Sequence, residues 1–123
     1  MNTLARLGLI ELAFGAMLGW ALVIQLAGPD LARQLGIVAP RRLLQAHIDF
    51  IMMGLILVAI GLAAPDIPTW LAAVVVFGTW LNPALFLPLA WREELTRTIG
   101  YQVTSTIAFL ATSGGLTTVA VIG

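Results

Sequence analysis

The chain has 123 residues, of which 60% are hydrophobic and 10% charged, with a formal net charge of zero and a mean hydropathy of +1.01. That length allows one domain, and soluble domains carry about 25% charged residues, so in water this composition would expose aggregation-prone apolar surface. Zero net charge gives no reason to expect nucleic acid or an acidic substrate, and the absence of cysteine excludes disulfides, thiolate-ligated or covalently attached haem and iron–sulfur clusters.

A helix needs roughly 20 mainly apolar residues to cross a bilayer. Four stretches meet that length, at about 4–27, 42–63, 69–91 and 99–122. They are too long and too continuously apolar for the short alternating strands of a membrane barrel. The expected fold is therefore all-α, a polytopic membrane four-helix bundle forming a single membrane domain over 1–123. The first stretch exceeds the apolar core of a signal peptide, which runs to about 7–15 residues, and is expected to stay as a span.

The first span should end before Gly28-Pro29-Asp30, because Pro29 cannot continue the helix hydrogen bonding. Gly15 and Gly19 form a G-xxx-G pair, with Gly8 on the same face, a pattern that lets membrane helices approach closely. Residues 31–38 read as a short amphipathic link. Pro40 opens the second helix, where Gly54 and Gly61 stand one heptad apart. Ala64-Pro65-Asp66-Ile67-Pro68 is the tightest connection. Pro83 and Pro88 should bend or break the third span. The segment 91–97 is the one strongly charged loop, and Thr96 or Thr98 can cap the last helix. That helix presents Thr104, Ser105, Ala108, Thr112 and Gly115 as a small, weakly polar stripe. The four tryptophans, together with Met52 and Met53, read as interfacial or packing residues.

All six basic residues are arginines. Five of them, Arg33, Arg41, Arg42, Arg92 and Arg97, fall at the first and third connections, and only Arg6 lies on the other side. The positive-inside rule then places the arginine loops in the cytoplasm and both termini outside.

Ionisable groups are costly in hydrocarbon, so each one there raises a functional question. The ionisable groups inside the spans are Glu11, His47 and Asp49. His47 reads either as a metal or haem ligand through a neutral imidazole nitrogen, or as a histidine hydrogen-bonded to a carbonyl. Gly54 and Gly61 follow it on one stripe and would leave room for a flat ring, or serve packing. Asp49 lies about 200° around the helix from His47, at roughly 100° per residue. One polar face can then look into the bundle while the other meets a neighbouring subunit, which points to a homo-oligomer. Alternatively Asp49 reaches the interface or pairs with Arg41 or Arg42. Glu11 reads as a near-surface residue paired with Arg6, or as a proton-coupled carboxylate. Asn82 stands beside the carbonyl that Pro83 frees near Thr79 and either lines a cavity or ties two helices. Tyr101 is a candidate hydroxyl donor to a substrate, or a belt residue. His47, Asn82, Tyr101, Gln102 and Gln25 lie towards the arginine side, where they can converge on one pocket.

The segment Arg42-Leu-Leu-Gln-Ala-His47-Ile-Asp49-Phe-Ile-Met-Met-Gly54-Leu resembles the second helix of styrene oxide isomerases and hydroxylaminobenzene mutases. Four short spans, a glycine-rich first helix and an Asn-Pro in the third are also similar. The resemblance implies a small isomerase of the bacterial inner membrane, a trimer with haem b between subunits and His47 on the iron. Ferric iron would then act as a Lewis acid on an aryl epoxide, which opens to an aldehyde through a 1,2-hydride shift. The family pattern has asparagine six residues after the histidine, where this chain has Met53. Asn82 and Tyr101 are the candidates to take over that polar role. Two other classes compete. One is a small proton-coupled multidrug-type exporter using Glu11, and the other is a non-enzymatic subunit of a membrane complex.

Overall fold

The computed structural model describes residues 2–122. Five α-helices follow in order: α1 (Thr3–Ala27), α2 (Pro29–Gln34), α3 (Pro40–Ala63), α4 (Thr69–Ala84) and α5 (Ile99–Ile122). No strand occurs among the described residues. Four spans are long and apolar enough to cross a membrane: α1, α3, α4 extended through its following turns to Ala90, and α5. The four-helix membrane fold expected from hydropathy is thus borne out.

Proline sets most of the boundaries. Pro29 and Pro40 occupy the first turns of α2 and α3, where a missing N–H costs nothing. Pro83 sits inside the last turn of α4, and the chain leaves α-helix after Ala84 for tight turns at Pro88–Ala90 and Glu93–Arg97. The expected break in the third span therefore falls just past Pro83 and shortens the regular helix.

Two antiparallel pairs build the bundle. The more extensive is α1 with α3, the other is α4 with α5, and α3 against α4 joins them. Glycine makes the first seam. A Cβ at Gly8 would lie 2.7 Å from the Gly54 carbonyl oxygen, and one at Gly54 would lie 2.8 Å from the Gly8 oxygen. Further along, Gly15 meets Phe50, Gly19 meets His47, and Gly61 meets Ala5. Asn2 closes the end of the seam: its side chain accepts from the Ala5 N–H at 2.8 Å and donates to the Gly61 carbonyl at 2.5 Å. In the second pair Gly78 packs against the Thr112 backbone.

The apolar core gathers Leu4, Leu57, Ile60, Leu71 and Val75 in the half of the molecule near the 64–68 connection. The opposite end is tied by polar contacts between its two loops. The Val38 and Ala39 N–H groups donate to the Ala90 carbonyl, and the Trp91 indole donates to the Leu35 carbonyl at 2.9 Å. Gly36 permits that approach, with a φ of +84° that disfavours any side chain. Arg42 spans the same two loops by pairing with Glu93 at 3.2 Å.

Candidate functional site

The polar residues expected to converge divide between two faces of α3. His47 turns towards α1, where its Nδ1 lies 2.6 Å from the Gly15 carbonyl oxygen. A carbonyl only accepts, so Nδ1 carries the proton, and Nε2 is the nitrogen whose lone pair a neutral ring would offer. The imidazole is half-buried and rests against Gly19, whose added Cβ would come within 3.2 Å of Cε1. The first-helix glycines thus create both the space for the ring and the carbonyl that orients it.

That arrangement fits a single-ligand haem site at the donor atom. Histidines on metals usually donate their other ring N–H to a carbonyl or carboxylate, which fixes tautomer and orientation. Among the described residues no group of three or more His, Cys, Asp or Glu side chains is placed to hold a metal ion. Haem iron differs in needing only one protein ligand, as in globins. Gly54 does not fit the same role. Its face is closed by the backbone of Gly8 and Leu12, so it seats α1 and leaves no slot for a ring there. A macrocycle on His47 would have to lie along the half-exposed outer edge of the α1–α3 seam.

Asn82 and Tyr101 are on the other side. They line a cavity of about 430 Å³ between α3, α4 and α5, together with Asp49, Met53 and Thr112. The Asn82 amide donates to Thr112 Oγ1 at 2.6 Å and to the Ala108 carbonyl at 3.2 Å. The helix-tying reading of Asn82 is therefore realised, and its Oδ1 has no partner within the described residues. The Tyr101 hydroxyl donates to the Leu85 carbonyl at 2.7 Å. Pro88 has no N–H to serve that carbonyl from three residues on, so Tyr101 fastens the end of α4. Its proton is committed, which removes it as a free donor to a substrate oxygen. Gln102 turns to the loop and donates to the Thr96 carbonyl. Gln25 keeps a buried side-chain oxygen without a partner.

Asp49 makes no ion pair with Arg41 or Arg42; Arg42 is held by Glu93 and by Gln45. Its carboxyl opens into the cavity. Glu11 departs most from expectation. It is fully buried, and neither carboxyl oxygen has a hydrogen-bond partner. Arg6 is exposed and forms no salt bridge with it. The signal was in the spacing, since Gly8, Glu11 and Gly15 stand three and four residues apart and share the face that meets α3. The Trp80 indole N–H is buried and unpartnered as well.

No protein-family model, curated protein or solved structure matches the chain.

Proposed function

We propose that this chain is a haem b-dependent membrane isomerase that opens an aryl epoxide to an aldehyde. The observation that supports the reading is the His47 imidazole, whose Nδ1 is held by the Gly15 carbonyl so that Nε2 is the nitrogen free to take a ligand. When bound, haem would supply a ferric Lewis acid with one open coordination position for the epoxide oxygen. The chain's own contributions are structural. His47 offers the single nitrogen ligand, Gly15 fixes its tautomer, and Gly19 leaves room for the ring. The spans keep water away from a reaction that needs no hydrolysis, and an apolar substrate would arrive from the bilayer. Because α1 closes the Gly54 face, the cofactor would lie between copies of the chain, in keeping with a trimer. In a bacterial inner membrane the arginine-bearing loops would face the cytoplasm and both termini the outside.

Absorption spectra of the purified protein test this reading. A Soret band that is lost in His47→Ala is expected, followed by epoxide-to-aldehyde turnover. Protein from haem-replete cells with no Soret band, or with a band indifferent to His47→Ala, refutes it.

A second reading has its own observation, the fully buried and unpartnered Glu11. Such a carboxyl suits proton-coupled transport by a small multidrug-type exporter. Proton-driven export in proteoliposomes that disappears in Glu11→Gln would replace the isomerase reading.

A further inference from the structure

The cavity between α3, α4 and α5 has a one-sided hydrogen-bonding character. Four polar side chains on its wall have already spent their protons. Tyr101 donates to the Leu85 carbonyl, Thr112 to the Ala108 carbonyl at 2.9 Å, and Ser113 to the Phe109 carbonyl at 2.7 Å. Asn82 has given its amide hydrogens to Thr112 and Ala108. That amide cannot be turned round, because the Ala108 carbonyl only accepts. What remains directed at the space is the Asn82 Oδ1, hydroxyl lone pairs and the Asp49 carboxyl, which forms neither an ion pair nor a hydrogen bond among the described residues. Ser105 carries the one hydroxyl on the wall that donates to no acceptor among the described residues. Phe86 and Phe109 help to make the rest of the lining apolar.

A wall of acceptors around one carboxyl selects a donor, and most strongly a cationic donor. An epoxide or aldehyde presents only acceptors and would find Ser105 alone to meet it. The volume of about 430 Å³ falls in the roughly 300–1,000 Å³ range of small-molecule sites. We infer that this cavity binds a small apolar amine in its ammonium form, with the ammonium between Asp49 and the Asn82 Oδ1 and an aryl or alkyl body against Phe86 and Phe109. The site lies across α3 from His47 and does not depend on the haem reading.

Calorimetry on the full chain in detergent or nanodiscs tests this, using 2-phenylethylamine near neutral pH and 2-phenylethanol as its uncharged counterpart. The amine should bind saturably and about tenfold or more tighter than the alcohol, the usual advantage of a hydrogen bond to a charged group. Asp49→Asn should abolish that preference, and Ser113→Phe should weaken the amine by narrowing the cavity. His47→Ala should leave amine binding unchanged. Equal affinity for amine and alcohol overturns the assignment, as does full amine affinity in folded Asp49→Asn or loss of binding in His47→Ala. Should Asp49→Asn fail to fold, the Ser113→Phe protein decides alone, and undiminished amine affinity there overturns the assignment.

Discussion

Gly54 offers the sharpest test of how the α1–α3 seam is built. If it serves packing, a single methyl must separate the helices. The Cβ of alanine there would lie 2.8 Å from the Gly8 oxygen and 2.8 Å from the Leu12 nitrogen, both backbone atoms that cannot rotate away. Ordinary van der Waals contact begins at 3.4 Å, so the helices must part locally by about 0.6 Å, with overpacking costs of about 1–3 kcal/mol. Helix propensity returns about 1 kcal/mol, leaving a net loss of roughly 0–2 kcal/mol for Gly54→Ala, or about 1–3 kcal/mol relative to an alanine that meets nothing. Gly114→Ala is the internal control, because nothing lies within 4 Å of its added Cβ; it should be neutral or slightly stabilising. Reversible unfolding in mixed dodecylmaltoside–SDS micelles measures both. If the two variants unfold at the same SDS fraction, the close approach of α1 and α3 is wrong. If Gly54→Ala keeps its stability but loses a Soret band, Gly54 lines the cofactor instead.

Glu11→Met should raise stability in the same assay by about 1–3 kcal/mol, since it removes a buried carboxyl that has no partner. A loss of stability would mean that something outside the chain pairs with Glu11. Tyr101→Phe should cost about 1 kcal/mol and speed amide hydrogen exchange around residues 85–91, because the Leu85 carbonyl loses the Tyr101 hydroxyl as donor; unchanged exchange refutes the fastening role. In the exposed 91–97 loop, the Glu94 carboxyl is held below its ordinary range, first by its own backbone N–H and then by Arg92. A lowered folded value means that any stabilisation is present above the unfolded value and fades as pH falls through the folded one. An NMR titration of Glu94 should therefore show a midpoint under 4.5, and one at or above it removes the backbone and Arg92 contacts together.

Most of the fold could be read from the chain because lipid makes the demands explicit. Unbroken apolar runs of the right length gave the four spans to within two residues, with Pro29, Pro40, Pro65 and Pro68 marking the nearby ends, except that α4 stops at Ala84. Hydropathy could not see that stop, since the turns after Pro83 are as apolar as the helix before them. Gly8, Gly15 and Gly54 were legible as packing residues, but which helices they joined was not, because small-residue motifs carry no partner identity. The site divided in the same way. Angular spacing on α3 already separated Asp49 from His47, whereas grouping residues by depth alone put His47 with Asn82 and Tyr101. Depth measures position along the bilayer normal and ignores rotation about it. Of the two alternatives for Glu11, burial follows from its register with Gly8 and Gly15, which decides the buried face, and the pairing with Arg6 does not occur.

The rotation of α3 also bears on Met53. It lies six residues beyond His47 and lines the cavity with Asp49, not the seam with α1. Where the resembled family has asparagine, this chain thus has a methionine on the cavity side of α3, away from the imidazole and its Gly15 contact. An asparagine amide there would have given the cavity two hydrogen-bond donors; methionine gives none and adds apolar surface. Met53 thus agrees with the character of the other cavity residues, acceptors around an apolar body. A neutral oxygen compound finds no donor at position 53, and His47 stands on the other side of α3. The proposed Lewis-acid chemistry would therefore have to take place along the α1–α3 edge, whereas the cavity beside Asp49 is better suited to a molecule that brings its own protons.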